Sequence, residues 1–447
     1  MTTPAARLAR ARQRLAAGDV EEARREGEAV LGTNASDGNR ADSYLLLAAC
    51  AQQAGDPALG LRHARMSIAL RPDDPMAHYL TAELEEAAGD KPGALASLDR
   101  AVALKPAFIQ AWFYRGVLQG EGGDALAAIA SFGEAVRLDP AHARAWNNLG
   151  NALRRLARLP EAGKAFERAV ALKPDYWLAV ANLAKSLRDA SEVERAEALL
   201  RDALARSPSK APYRPLLVLL AGLLRERGFL DESAQLYWRA IQAAPKESAQ
   251  EWFHLGVVLG ERGEPERARE AYGHSYGLDR RELRALFGMH LALPMVYADA
   301  NEVDAARERF TQGLAALESA LPKALEGLTS NQLIDGLRWT NFFLAYQGRD
   351  DRALQARYAR IVHQAIAAGA PQWHGAIVRL PGSRRRVRIG FASAFLHVGT
   401  VGRYFRSWIT ALPRDRFEVF IYHLWPGMDE VATEIHARAD TFHSFGG

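Results

Sequence analysis

Pro72, Pro106, Pro140, Pro174 and Pro208 stand 34 residues apart, and this fixed step constrains the fold more than any other feature of the chain. Three series of small residues keep the same step. They are Ala48, Ala82, Gly116, Gly150 and Ala184; then Gly60, Ala94, Ala128, Ala162 and Ala196; then Ser67, Ala101, Ala135, Ala169 and Ala203. Larger apolar residues fall between them, as at Leu98, Phe132, Phe166 and Leu200. Proline lacks an amide donor and clashes with the preceding turn, so at each step it ends a helix. Small residues let two helices of one unit approach closely, and the larger ones are expected to fill the space between units. One such unit cannot bury its apolar face alone, so neighbours must stack. The chain is therefore mainly α.

The step and the positions resemble the tetratricopeptide repeat (TPR). Strict repeats are expected at 41–74, 75–108, 109–142, 143–176 and 177–210, looser ones at 214–247 and 249–282, and a degenerate first one at 4–37. Residues 1–282 then form a TPR superhelical solenoid. The "WNNLG…AxxxFxxA…P" residues at 146–174 fit this repeat better than the 35-residue RNA-binding repeat, which needs a more basic inner face. Such arrays bind proteins or peptides on a concave face lined by the first helix of each repeat. Asn148 in "WNNLGNAL" and Asn182 in "VANLAKSL" occupy the same repeat position and are the expected peptide-binding residues. A carboxamide both donates and accepts, which suits an extended peptide backbone. The alternative is that asparagine merely fits that helix position. Leu46, Leu80, Tyr114, Leu219 and His254 hold the equivalent places, so a continuous asparagine ladder is absent.

Composition narrows the function classes. Over 447 residues, 49% hydrophobic and 25% charged is a globular balance, and a net charge of +4 is too small to argue for nucleic acid. Cys50 is the sole cysteine, so the chain has no intrachain disulfide and no cysteine-based metal site. The charged, helical start has no signal-peptide core, and no uncharged apolar run is long enough to span a bilayer. A cytoplasmic protein without a membrane partner is expected.

Residues 283–385 lose the step but keep helical periodicity, in "NEVDAARERFTQGLAALESAL" (301–321) and "DDRALQARYARIVHQAIAAG" (350–369). Between them Trp339, Phe342, Phe343 and Tyr346 read as a packing seam, with a ligand platform as the alternative. Arg384, Arg385, Arg386 and Arg388 read as a solvated linker entering a strand.

From residue 386 the period changes. "RVRIGFAS" (386–393), a helix over 401–412, "RFEVFIYHLW" (416–425), a helix over 429–439 and "TFHSF" (441–445) alternate strand and helix. Crossovers of this length argue for a parallel sheet and an incomplete Rossmann-like α/β lobe. Chemistry would sit beyond the carboxyl ends of the strands, in loop 394–402.

"RIGFASAFL…TVGRYFRSWI…RFEVFIYHL" resembles the opening of the catalytic region of bacterial TPR-containing protein O-GlcNAc transferases, often called Spindly-like. "LALPMVYADANEVDAARERF" (291–310) and "NFFLAYQGRDDRALQARYARI" (341–361) resemble the segment those proteins place between repeats and catalytic domain. The resemblance implies a two-lobed, GT-B-type glycosyltransferase that moves GlcNAc from UDP-GlcNAc to serine or threonine hydroxyls, inverting and without a metal. Residues 386–447 would begin its first lobe, His397 would be catalytic, and the TPRs would present the acceptor.

Two departures bear on that implication. Gly399 holds the place of the family's histidine before "TVG", and His397 lies two residues early. His423 and His443 read as strand-end residues with structural partners. A lobe takes about 100–150 residues, whereas 62 follow the linker, so the nucleotide-binding lobe is missing and no cofactor is expected in this chain. The sequence is expected to be a fragment cut inside its catalytic domain, inactive as it stands. The alternative is a non-catalytic TPR peptide-binding scaffold with a vestigial Rossmann cap.

Overall fold

The computed structural model describes residues 3–207, 213–339, 342–371, 386–424 and 427–444. Pro208, Arg384, Arg385 and the expected strand ends at 425 and 445 lie outside them. The chain divides into two compact units, Met1–His374 and Gly375–Gly447.

The first unit is a stack of antiparallel helix pairs. These are α1 (Pro4–Ala16) with α2 (Val20–Leu31), α3 (Asp37–Gln53) with α4 (Pro57–Leu70), α5 (Pro75–Ala87) with α6 (Lys91–Leu104), and α7 (Ile109–Glu121) with α8 (Ala125–Leu138). They continue as α9 (Ala143–Arg155) with α10 (Leu159–Leu172), α11 (Trp177–Asp189) with α12 (Val193–Arg206), α13 (Arg214–Glu226) with α14 (Leu230–Ala243), and α15 (Ala249–Glu261) with α16 (Pro265–Leu278).

The turn inside each pair is set by one left-handed residue. Gly55 (φ 77°), Gly89 (φ 84°) and Gly123 (φ 88°) hold it, and the 34-residue step then lands on Ala157 (φ 56°) and Ser191 (φ 63°). After the turn an aspartate opens the second helix: Asp56, Asp90 and Asp124 accept from the amides of Leu59, Gly93 and Ala127 at 2.9–3.0 Å.

Packing inside a pair matches small to large. A Cβ on Gly116 or Gly256 would meet the ring of Phe132 or Tyr272 at 2.7 Å. Phe132, expected between repeats, therefore lies against the glycine of its own repeat.

Four further helices extend the stack: α17 (Leu283–Leu291), α18 (Ala300–Ala324), α19 (Ser330–Gly336) and α20 (Arg352–Gly369). One apolar core runs from Leu153 through Tyr272, Leu286, Phe310 and Leu333 to Ala370, without a break at the last repeat. Tyr272 shows why: Gly256 lies on one side of its ring, and on the other a Cβ at Gly288 of α17 would come within 2.6 Å.

The second unit alternates β1 (Val387–Ser393), α21 (Thr400–Ala411), β2 (Phe417–His423), α22 (Glu430–Arg438) and β3 (Thr441–Ser444). The sheet is parallel with order β1-β2-β3, and Ser393, His423 and Ser444 pair across its carboxyl end. Val419 and Ile421 turn toward Ile409 of α21 and Val431 and Ile435 of α22, so both helices cover one face. Arg388, Phe420 and Tyr422 lie on the other, where the Arg388 guanidinium sits 4.2 Å from the Phe420 ring centroid.

Candidate functional site

The two expected peptide-binding asparagines come together through a third. Asn182 is 6% exposed and donates from Nδ2 to Oδ1 of Asn147 at 2.9 Å, and Asn147 is 1% exposed. Asn147 in turn donates to Oδ1 of Asn148 at 3.2 Å. Asn148 is half-buried, and its own Nδ2 meets no partner among the described residues. Asn182 thus ties α11 to α9, while Asn148 keeps donor capacity. Three-residue steps along the same helices lead from Asn148 to Asn151 and Arg154, and from Asn182 to Lys185 and Arg188. Sequence reasoning passed over Asn147, Arg154 and Lys185. The available signal was a helix, "ARAWNNLGNALRR", with three arginines and no acid.

Beside α15 and α16 lies an apolar cavity of about 300 Å³, bounded by Phe253, Val257, Tyr272, Leu291 and Trp339. Trp339 stands edge-on to Tyr272 (5.8 Å, 87°), and its carbonyl accepts from the Tyr358 hydroxyl at 2.9 Å. Glu261 borders the cavity, and burial raises its carboxyl pKa. Trp339 thus packs on the last repeat within the first unit; Tyr346 is exposed, and the side chain of Phe342 lies outside the described residues.

The carboxyl edge of the sheet gathers His397, His423 and Asp429. Asp429 accepts from the amides of Ala432 (2.9 Å) and Val398, pinning the loop after β1 to the start of α22. The Ala432 amide, then those of Val398 and Val431 and the nearby His397, hold its carboxyl below the usual range. His397 is half-buried, with Nδ1 3.2 Å from the Val398 carbonyl. Gly402 admits this loop: a Cβ there would fall 1.9 Å from the His397 carbonyl oxygen.

His423 closes β2, the strand-end place expected for it. It is fully buried, and among the described residues neither ring nitrogen has a hydrogen-bond partner, so the structural partner expected at this strand end is a ring contact with Phe442 (5.8 Å). Burial, and after it the His397 charge, pushes its pKa down. His443 stacks on Tyr422 (5.2 Å, 16°) on the other face.

Arg386 pairs with Asp440 (3.1 Å) and Arg388 with Glu418 (3.6 Å), so the described part of the arginine run is neutralised. Among the described residues no group of three or more His, Cys, Asp or Glu is placed to hold a metal, and no helix is long and apolar enough to cross a membrane.

Comparison with curated proteins gives no match. Solved structures similar to parts of this chain include MamA (22% identity, 37% of this chain and 94% of that one, TM-score 0.34). Others are MamA residue 41 to the end from Desulfovibrio magneticus RS-1 (21%, 38% and 96%, 0.36) and pilF of Pseudomonas aeruginosa (19%, 47% and 94%, 0.40). Scores of this size carry no inference about binding or assembly. The tetratricopeptide repeat family model matches residues 45–107, 115–177 and 181–248, where the 34-residue step and the helix pairs were found. Over these segments the chain carries tetratricopeptide repeats.

Proposed function

We propose that this chain is a protein-interaction scaffold whose first helices receive an extended peptide. The reading rests on one observation above others. Asn182, Asn147 and Asn148 lock two neighbouring first helices into a fixed frame and leave a carboxamide of that frame with an unused donor. A rigid frame of this kind costs little ordering on binding. In this proposal Asn148 faces the peptide and Asn182 holds the frame; residues 1–282 form the array, 283–385 its connector and 386–447 an appended α/β cap. The test is selection of peptides from a random display library on the purified chain, followed by affinity measurement. Peptides that bind the chain and lose affinity with Asn148→Ala support the reading. Selected peptides indifferent to every first-helix substitution would end it.

A second reading, the TPR and early catalytic portion of an O-GlcNAc transferase-like enzyme, is favoured by the parallel β1-β2-β3 order with His397 in the loop beyond β1. There the sheet is the start of a Rossmann-like, GT-B-type lobe, His397 is catalytic and UDP-GlcNAc is the donor. Gly399, in the place where the resemblance calls for histidine, weighs against it. This reading expects no transfer from the chain as it stands, so its test uses the endogenous protein: incubation with UDP-GlcNAc and acceptor peptides that releases UDP with a matching HexNAc mass gain, lost in His397→Ala, would favour the enzyme.

A further inference from the structure

From α1 to α15, the arginines and lysines of the first helices are paired with carboxylates, save on α9 and α11. Arg12 meets Asp42 (3.4 Å), Arg115 meets Asp99 (2.6 Å), Arg214 meets Glu251 (2.8 Å) and Arg225 meets Glu261 (3.1 Å). The remaining cations of α1 and α3 are likewise in ion pairs, and α5 and α15 have neither arginine nor lysine. On α9 and α11 the pattern stops. These two helices carry five cations against one carboxylate, that of Asp189.

Three of the five are partly engaged. Arg144 lies over the Phe113 ring (5.3 Å), Arg155 donates to the Gly120 carbonyl, and Arg188 reaches its chain neighbour Asp189 at 3.5 Å. Arg154 and Lys185 have neither a carboxylate nor a carbonyl among the described residues, and both are half-buried. The Nε of Arg154 is buried and has no hydrogen-bond partner among the described residues. A guanidinium N–H taken out of water and left unpaired is costly, and the cost is recovered when an anion arrives. Next to these cations stand the free carboxamide donor of Asn148 and the half-buried Asn151.

We propose that α9 and α11 form a docking site for an acidic segment of a partner protein. Its backbone lies along Asn148 and Asn151, and its aspartate or glutamate side chains pair with Arg154 and Lys185. This rests on the peptide-scaffold reading and adds the chemistry of the partner. The array itself supplies carboxylates for the cations of the other first helices, so here the carboxylate comes from outside.

The experiment uses the full chain and two fluorescent peptides of equal length, one alternating glutamate with serine and its twin alternating glutamine with serine, read by polarisation. The glutamate peptide is expected to bind at least about tenfold more tightly and to weaken as salt is added. Arg154→Gln with Lys185→Gln should remove that difference, while Arg168→Gln with Arg239→Gln, an equal charge loss on the exposed second helices, should not. Unchanged thermal unfolding in both double variants shows that folding is not the cause. Equal binding of the two peptides overturns the acidic preference and leaves the scaffold reading standing; binding of neither, with no library peptide selected, removes the scaffold reading as well. An acidic preference that survives Arg154→Gln/Lys185→Gln overturns the location. A single-stranded oligonucleotide that displaces the glutamate peptide and binds more tightly than it does overturns the proposal in favour of nucleic acid.

Discussion

A Cβ added to Gly150 would stand 2.6 Å from Cε1 of Phe166, a ring that is itself fully buried. Neither the helix α9 backbone nor the ring has room to give. Gly150→Ala is therefore expected to destabilise the array by about 1–3 kcal/mol, even though alanine is the better helix former by up to about 1 kcal/mol. Adding Phe166→Leu should restore most of the loss, because leucine faces alanine at the matching places Ala82–Leu98 and Ala184–Leu200. Thermal unfolding of the three variants measures it; an unchanged midpoint in Gly150→Ala would refute the close fit.

Removing one member of the buried amide pair leaves the other stranded. Asn182→Ala takes the donor from Oδ1 of Asn147, and a loss of about 1–3 kcal/mol is expected. With Asn147→Ala added, the total should fall short of the sum of the single losses, since the two changes delete one shared bond. Full additivity would deny the coupling. A stable Asn182→Ala chain that has lost peptide binding would instead place this residue against the peptide.

Acidification should loosen the second unit through His423. Burial holds its imidazole below the ordinary value of 6.5, so in the folded chain it stays neutral where the unfolded chain takes up a proton. Stability then has a positive slope with pH. It is fully present above the unfolded value, and it declines as pH falls below about 6.5 until the lowered folded value is passed. Hydrogen exchange of the β2 amides, corrected for intrinsic rates, should show less protection at about pH 5.5 than at about pH 7.5. His423→Leu should flatten that dependence, and an unaltered slope would acquit the residue.

The helix pairs were legible because their cause is periodic: proline, a small residue and a large one recur at a step that the eye can follow. Even the turns obey it, down to Ala157 and Ser191, which take up the left-handed backbone that glycine holds in earlier repeats. The site was less legible because contacts across repeats do not keep the step. Asn148 and Asn182 share a repeat position, yet Asn182 bonds to Asn147, one residue away from the equivalent place. The ion pairing of the first helices was invisible for the same reason, since Arg225 finds Glu261 and Arg214 finds Glu251 at unlike spacings. In the second unit the alternation of strand and helix was read to within a residue or two. What could not be read was that His423 would be enclosed with a ring contact and, among the described residues, no hydrogen bond to either ring nitrogen, because that depends on which side chains close over the strand end.

The Tyr272 ring, gripped by Gly256 before it and Gly288 after it, removes the weak joint that a linear array would have at its last repeat. In a stack held by nearest-neighbour contacts, cooperativity fades wherever one interface is thin. Here the last pair and the helices that follow share a single aromatic rivet, so a disturbance entering at α16 is felt in α17 at once. The last repeats and α17 are therefore expected to melt together.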